Sequence, residues 1–169
     1  SFLPQIAKKI KFNYYQAVEG LRQILWGLFV KVVVADSCAP FVEYAHNNTG
    51  SLYGLYLAMA AGIFAFQLYA DFSGYSHIAI GVAKLFGINL MTNFLYPYFT
   101  TNMVDFWRKW HISLSTWFRD YLFIPLGGSR GSKLMVYRNV FIVFLISGLW
   151  HGANWTFIFF GFLHGLLMI

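Results

Sequence analysis

The sequence predicts an all-α fold, a polytopic membrane helical bundle with re-entrant and interfacial helices between its crossings. Of the 169 residues, 59% are hydrophobic, 21% aromatic and only 11% charged, whereas a soluble domain has about 25% charged residues. So large an apolar surplus cannot be buried in one soluble core, and part of it is expected to face lipid. The basic residues lie in short stretches beside apolar runs, as they do on cytoplasmic flanks of membrane helices. The net charge of +6 therefore indicates membrane topology rather than nucleic-acid binding.

We expect residues 1–169 to form a single, partial domain of a longer chain. The sequence begins at Ser1 without an initiator methionine and ends at Ile169 inside an apolar run. The one cysteine, Cys38, excludes an internal disulfide and any metal site built from several cysteines. Composition thus assigns the chain to the membrane proteins and leaves its function to the motifs.

The first membrane segment is predicted at residues 21–42, after a basic lead, residues 1–20, that we place on the cytoplasmic side. The basic residues of this lead include Lys8, Lys9 and Lys11. Lys31 lies inside the apolar run, where a lysine costs about 2.5–3.5 kcal/mol on insertion scales. Its ammonium group is therefore expected to reach the interface or to face the protein interior. Residues 43–51 lack Lys and Arg and are predicted on the opposite side of the membrane.

A second span is predicted at residues 52–70, which carry no charge over a length that crosses the hydrocarbon core. Asp71 is expected at the membrane boundary, and a weaker helix is predicted from about residue 76 to residue 90. The basic stretch at residues 104–138 again indicates the cytoplasmic side. We therefore predict that the weak helix and residues 93–99 form a re-entrant dip rather than another full crossing.

Residues 104–122, "VDFWRKWHISLSTWFRDYL", are predicted to form one amphipathic helix at the membrane interface. Placed at about 100° intervals, the tryptophans, Leu114 and Phe118 fall on one side, and most charged residues fall on the other. His111 lies within the aromatic stripe. Its imidazole is therefore expected to face protein or lipid rather than bulk water.

The last 31 residues, 139–169, contain no Asp, Glu, Lys or Arg, and as one straight helix they would be about 46 Å long. That length exceeds the hydrocarbon core, so a helix break is predicted at the sequence "HGAN", which begins at His151. Such breaks occur only where they are buried in protein or line a cavity. Desolvation there is expected to keep His151 neutral. A neutral imidazole could act as a general base, or it could simply donate to a backbone carbonyl exposed by the break.

Other site chemistries are less favoured by the sequence. Metal binding lacks a close-spaced ligand pair, although four histidines are candidates: His77, His111, His151 and His164. Cys38 has no local base that would make it a nucleophile. The glycine loop "GGSRGSK", residues 127–133, could hold phosphate through backbone amides and Arg130, but it lacks the Walker spacing, which favours an exposed turn.

Three motifs give the chain a family resemblance: "QLYADFSGYSHIAIGVAKLFGINL", "FWRKWHISLSTWFRDYLFIPLGGSR" and "SGLWHGANWTFIFFGFLHGL". Together they resemble the membrane-bound O-acyltransferases, and most closely the bacterial alginate O-acetyltransferase branch. The D-alanine transfer proteins of teichoic acid synthesis share the central and "WHG" elements but not "IPLGGSR", which favours the acetylation branch. The resemblance implies a polytopic enzyme that surrounds a tunnel. It also implies that His151 is the key catalytic histidine and His111 the second.

The resemblance further implies a substrate class and a location. The expected donor is acetyl-CoA or another acyl thioester arriving from the cytoplasmic side, with no bound cofactor. The expected acceptor is an exopolysaccharide or cell-wall sugar, reached with a periplasmic partner, and the expected location is the bacterial inner membrane. A basic interface could attract the phosphates of the donor, although solvation or lipid headgroups explain its charges equally well. Its members are Arg108, Arg119 and Arg130.

Two alternatives stay open at this point. One is D-alanine transfer in teichoic acid synthesis. The other is a transporter or flippase component in which His151, His111 and Lys84 relay protons or bind an anionic substrate. The absence of an internal repeat argues against the transporter. Asp71 and Asp120 are expected to be structural.

Overall fold

The computed structural model describes residues 3–7 and 11–169, so the basic residues Lys8 and Lys9 lie outside the described part of the chain. All regular structure in these residues is helical, which confirms the predicted fold class. The α-helices are α1 (Leu3–Ile6), α2 (Tyr14–Leu28), α3 (Asp36–Asn47), α4 (Gly54–Leu85), α5 (Met103–Lys109), α6 (Ile112–Phe118), α7 (Lys133–His151) and α8 (Trp155–Leu167). Two π-helical segments lie at Phe29–Ala35 and Arg119–Phe123. The chain divides into two compact units, Ser1–Thr92 and Asn93–Ile169.

Within the described residues, three helical segments are long and apolar enough to cross a membrane. They are Tyr14–Asn47, Gly54–Leu85 and Lys133–His151. The first segment joins α2, a π-helical stretch and α3 into 34 residues of continuous helix. It therefore extends four residues past Glu43, where the sequence predicts the start of a polar loop.

Helices α2 and α4 of the first unit pack against each other through glycine. A Cβ atom built on Gly27 would lie 2.6 Å from the carbonyl oxygen of Gly74, and one built on Gly81 would lie 2.6 Å from that of Gly20. The two contacts are seven residues apart on each helix and run in opposite directions along the chain. The helices are thus antiparallel, and their backbones meet where no side chain intervenes.

An ion pair between Lys31 and Asp71 links the π-helical segment to α4. The sequence predicts that Lys31 faces the protein interior or reaches the interface, and its ammonium group finds this carboxylate. Asp71 lies near the middle of α4, which continues to Leu85, and its place at the membrane boundary stays a prediction. A charged pair inside a span avoids the cost of either charge alone.

The prediction that a separate, weaker helix begins at about residue 76 is wrong. Helix α4 runs without interruption for 32 residues, through Asp71 and Ser76 to Leu85, a length of about 48 Å. No return turn interrupts it at the place where the re-entrant dip was expected to begin. Gly74 and Gly81 support this continuity, because both need regular helix to meet α2.

The second unit pairs α7 with α8. Their backbones approach closely at Gly148, whose Cβ would meet the carbonyl oxygen of Phe157, and at Gly161, whose Cβ would meet that of Phe144. The helix break predicted at "HGAN" is confirmed, since α7 ends at His151 and α8 begins at Trp155. Asn154 caps α8, because its side chain accepts a hydrogen bond from the Thr156 amide at 3.3 Å.

The single interfacial helix predicted for residues 104–122 is wrong, because the chain breaks at Trp110 and His111. The break is stabilised by hydrogen bonds to a preceding segment that a helical pattern cannot reveal. The Ile112 amide donates to the Asn93 carbonyl and the Ser113 amide to the Asn93 side chain, both at 3.0 Å. The Leu95 amide donates to the Lys109 carbonyl, also at 3.0 Å. Backbone groups that one helix would have paired internally therefore find partners in residues 93–95.

We expect Gly74→Ala to destabilise the first unit by about 1–3 kcal/mol, because its Cβ would press on the backbone of the facing helix. A Cβ at Gly74 would lie 2.9 Å from the Lys31 amide nitrogen and from the Gly27 carbonyl oxygen. The measurement is the thermal unfolding midpoint in detergent. Gly62→Ala is the matched control on the same helix, since its Cβ meets nothing within 4 Å. Equal midpoints for the two variants would contradict the glycine contact.

We expect Lys31→Met and Asp71→Asn each to lower the amount of inserted, folded protein, because each leaves one unpaired charge in a span, at about 2.5–3.5 kcal/mol. The double variant should recover most of the loss. The readout is membrane-inserted protein in cells, with melting in detergent as the second measurement. Lys84→Met is the control. Lys84 lies near the end of α4 and pairs at 3.4 Å with Glu19, which is exposed. A double variant as poor as the sum of the singles would argue against the pair.

Candidate active site

His151 is the last residue of α7, at the break between the two paired helices. Its imidazole lies against three aromatic rings, with centroid distances of 5.0 Å to Trp150, 5.8 Å to Phe160 and 6.1 Å to Phe157. The sequence predicts a desolvated imidazole between two tryptophans, but the residue is exposed in this chain. Trp155 is itself 82% exposed and lends it little cover. The aromatic rings enclose His151 from one side only.

His111 lies between α5 and α6 in a left-handed backbone conformation, with φ of 42°. The interrupted helix places its side chain, half-buried, against the ring of Phe94 at a centroid distance of 6.5 Å. Burial lowers the pKa of His111 below its ordinary value, and repulsion from His151 in its protonated form lowers it further. The two histidines are therefore close enough to interact electrostatically. The fold brings together the two residues that the resemblance implies for catalysis.

A cavity of about 490 Å³ lies in the second unit, and its walls come from α5, α6, the second π-helical segment and α7. Most of the lining is apolar, and the neutral polar groups belong to Ser115, Thr116 and Ser147. Arg108 and Arg119 also line it. The cavity thus combines an apolar interior with two cationic groups.

Both arginines of the cavity also contact aspartates. Arg108 donates to Asp105 at 3.3 Å and Arg119 donates to Asp120 at 2.8 Å. The arginine side chains stay 73% and 59% exposed. Because a guanidinium has five donors, each arginine keeps donors for an anionic ligand. The structural role expected for Asp120 agrees with its contact to Arg119.

Arg130 lies apart from these two arginines in sequence and is not among the residues that line the cavity. It belongs to a glycine loop in which Gly127, Gly128 and Gly131 all have positive φ. Asn139 holds the loop: it is fully buried, and its side chain donates to the Gly128 carbonyl at 3.1 Å. The loop is therefore a tightly held turn with an exposed Arg130.

Two other candidates from the sequence, His77 and Cys38, belong to the first unit. His77 accepts or donates a hydrogen bond with the Gln23 side chain at 3.2 Å and belongs to the first unit. In the described part of the chain, no three His, Cys, Asp or Glu side chains form a metal-binding group. Cys38 lies on α3.

Sequence reasoning missed Ser147 as a site residue. Ser147 is 6% exposed and lines the cavity. It lies four residues before His151 on α7, a spacing that puts both on one helix face. That spacing was the available signal. The aromatic partners Phe94 and Phe160 carried no such signal, because distant parts of the sequence bring them to the histidines.

We expect His151→Gln to raise the pKa of His111, because it removes a neighbouring imidazole that repels the His111 proton when it is itself protonated. The value should stay below the ordinary one, since burial is the larger cause. A lowered pKa means that the stability linked to His111 is present above its ordinary pKa and is lost as pH falls. NMR titration of histidine-labelled protein measures the shift, with His46→Gln on the exposed end of α3 as the control. An unchanged His111 titration in His151→Gln would contradict the proximity of the two rings.

Comparisons with known proteins agree with the resemblance. The family model described as "MBOAT, membrane-bound O-acyltransferase family" matches residues 3–169. The chain is 47% identical over 168 residues to the "Peptidoglycan O-acetyltransferase" of Helicobacter pylori, covering 98% of this chain and 32% of that protein. It is 48% identical to the "Probable alginate O-acetylase AlgI" of Azotobacter vinelandii, covering 87% of this chain and 29% of that protein.

A third relative comes from the D-alanine branch. The "Teichoic acid D-alanyltransferase" of Bacillus subtilis is 38% identical, with 88% of this chain and 40% of that protein covered. The chain thus spans between about three tenths and four tenths of the length of these relatives. With the family model matching nearly every residue, the chain belongs to the membrane-bound O-acyltransferase family.

Proposed function

We propose that this protein is a membrane-embedded O-acyltransferase that moves an acetyl group from acetyl-CoA, on the cytoplasmic side, toward a hydroxyl of an exopolysaccharide or cell-wall sugar. The observation that carries the proposal is that His151, at the break between α7 and α8, and His111, at the break between α5 and α6, are close enough to interact electrostatically. Neither imidazole lines the arginine-lined cavity, but Ile112, next to His111, and Ser147, one turn before His151, do. Two interacting imidazoles near such a cavity suit proton transfer on a charged thioester donor. Family membership favours this chemistry over the transporter alternative.

His151 acts as the general base in this proposal. Its neutral imidazole takes the proton of the attacking hydroxyl while the hydroxyl oxygen bonds to the thioester carbonyl carbon. The carbon–sulfur bond then breaks, and the departing thiolate takes up a proton, so that the products are an ester and free CoA. A positioned base contributes about 10²- to 10⁴-fold in rate.

His111 serves as the second polar group. Because burial and the neighbouring His151 lower its pKa, it is neutral at physiological pH and keeps one ring N–H. That N–H can donate to the donor carbonyl oxygen or to the acceptor and orient it. His111 has a left-handed backbone conformation at the break between α5 and α6.

Arg108 and Arg119 bind the anionic part of the donor, and Arg130 contributes from the glycine loop. The cavity that the first two arginines line has an apolar interior of about 490 Å³, which suits the pantetheine arm of an acyl-CoA. Guanidinium groups pair with phosphate oxygens in a bidentate manner. The donor phosphates then stay near the exposed arginines while the thioester reaches inward.

The names of the relatives support a polysaccharide or cell-wall acceptor and leave two candidate reactions, acetyl transfer and D-alanine transfer. Two of them are named for acetylation of peptidoglycan or alginate, which supports a polysaccharide acceptor reached with an extracytoplasmic partner. A third is named for D-alanine transfer to teichoic acid and makes that reaction the second candidate. The bacterial relatives also support a location in the bacterial cytoplasmic membrane.

The test is CoA release from acetyl-CoA by membranes that hold the full-length protein. We expect His151→Ala to slow release by roughly 10²- to 10⁴-fold, because it removes the base, while the variant melts like the wild type. Arg108→Ala and Arg119→Ala should instead raise KM for the donor. Asp105→Asn is the matched control, because it keeps both arginines. Wild-type membranes that release D-alanine carrier but no CoA would favour the D-alanine branch. A fully active His151→Ala would overturn the assignment of the base.

A further inference from the structure

Two buried nitrogen atoms in the second unit have no hydrogen-bond partner among the described residues. They are Nε1 of Trp107, on α5, and Nδ1 of His164, on α8. The two rings meet edge to face, with their centroids 5.1 Å apart. A buried polar atom without a partner costs about 1–3 kcal/mol, and a buried indole N–H usually finds an acceptor. Because the two rings are in contact, one interaction between them could satisfy both nitrogen atoms.

The two nitrogen atoms have complementary chemistry. The indole Nε1 is a donor only, whereas Nδ1 of a neutral imidazole accepts when the proton is on Nε2. In the tautomer with the imidazole proton on Nε2, the indole N–H can therefore donate to Nδ1. One water molecule between them would serve equally, since a bridging water is nearly as favourable as a direct hydrogen bond.

Trp107 also connects α5 to the two paired helices. Its ring contacts that of Phe144 on α7 at a centroid distance of 5.2 Å, in addition to His164 on α8. Phe160, one turn before His164, contacts His164 at 4.4 Å and His151 at 5.8 Å. The Trp107 and His164 contact thus lies on the same aromatic cluster as the proposed base.

The contact between Trp107 and His164 bears on the position of His111. Helix α5 ends two residues before His111, and the break after it leaves α5 free of the helical hydrogen bonds that would fix its direction relative to α6. The position of His111 relative to His151 therefore depends on how α5 is held against α7 and α8. Trp107 is a residue of α5 whose ring contacts both α7 and α8.

We propose that Trp107 and His164 form a hydrogen-bonded positioning pair, directly or through one water, that fixes α5 on α8 and so sets the approach of His111 to His151. This inference rests on the proposed acyltransferase function. His164 acts through the position of α5 and does not touch the reacting atoms. The pair makes a third histidine part of the working enzyme, in a role that the search for a metal ligand set does not suggest.

The test is a double-mutant cycle in the full-length protein with Trp107→Phe, His164→Phe and the double variant. Each substitution keeps an aromatic ring and removes one nitrogen partner. We expect each single variant to lower kcat for CoA release by roughly 10- to 100-fold, since small displacements of catalytic groups cost that much. KM for acetyl-CoA should stay unchanged in His164→Phe, because His164 does not line the donor cavity, whereas Trp107 lines it and its variant is judged by kcat alone. The double variant should be no slower than the worse single, and His164→Asn, which keeps an acceptor near Nδ1, should recover most of the activity.

Two substitutions of the same kind at exposed positions are the controls. Trp117→Phe changes an indole that is 52% exposed, and His46→Phe changes the exposed histidine of α3; both should keep kcat. Losses that multiply in the double variant, or an unchanged kcat in either single, would overturn the pair. Wild-type protein that releases no CoA overturns the proposed function instead. Melting temperatures then decide the pair, because non-additive shifts support it and additive shifts overturn it.

Discussion

Close backbone contact at glycine is the constraint on which both units depend. Apolar side chains gain little by leaving lipid for one another, so membrane helices associate through tight packing and polar contacts. In the first unit the glycines of α2 and α4 meet in antiparallel register, and in the second unit Gly148 and Gly161 bring the backbones of α7 and α8 together. With the helices this close, the side chains at their ends, including His151, have defined neighbours.

Polar groups then fix the register of helical segments and the positions of chain breaks, which backbone packing alone does not determine. The ion pair between Lys31 and Asp71 sets the register of the π-helical segment on α4, and such segments often occur at functional positions. In the second unit, Asn93 accepts hydrogen bonds from the backbone after His111 and stabilises a break in the chain. Asn139 is fully buried and stabilises the glycine loop by donating a hydrogen bond to the Gly128 carbonyl. Each interruption of a helix is thus matched by a specific hydrogen-bond acceptor or donor.

These interruptions produce the candidate site. The break after α7 places His151 at a helix end, and the break after α5 turns His111 out of its helical course, so that the two imidazoles interact. The cavity beside them joins apolar walls with Arg108 and Arg119. An acyl thioester has the matching parts, an apolar arm and charged phosphates. In the proposed function, the two arginines would bind the charged part of the donor and the two imidazoles would handle the proton.

The sequence by itself determined the membrane class, the all-α fold, the family and the helix break after His151, because these depend on composition, on local motifs and on the length of an uncharged run. It did not determine that residues 104–122 are divided between two α-helices and a π-helical segment, that Asp71 pairs with Lys31 inside a candidate span, or that Arg108 and Arg119 share a cavity. Those features depend on hydrogen bonds and contacts between residues far apart in the chain, such as Asn93 with Ile112. Helical periodicity records only neighbours three and four residues away, so tertiary structure alone decided them.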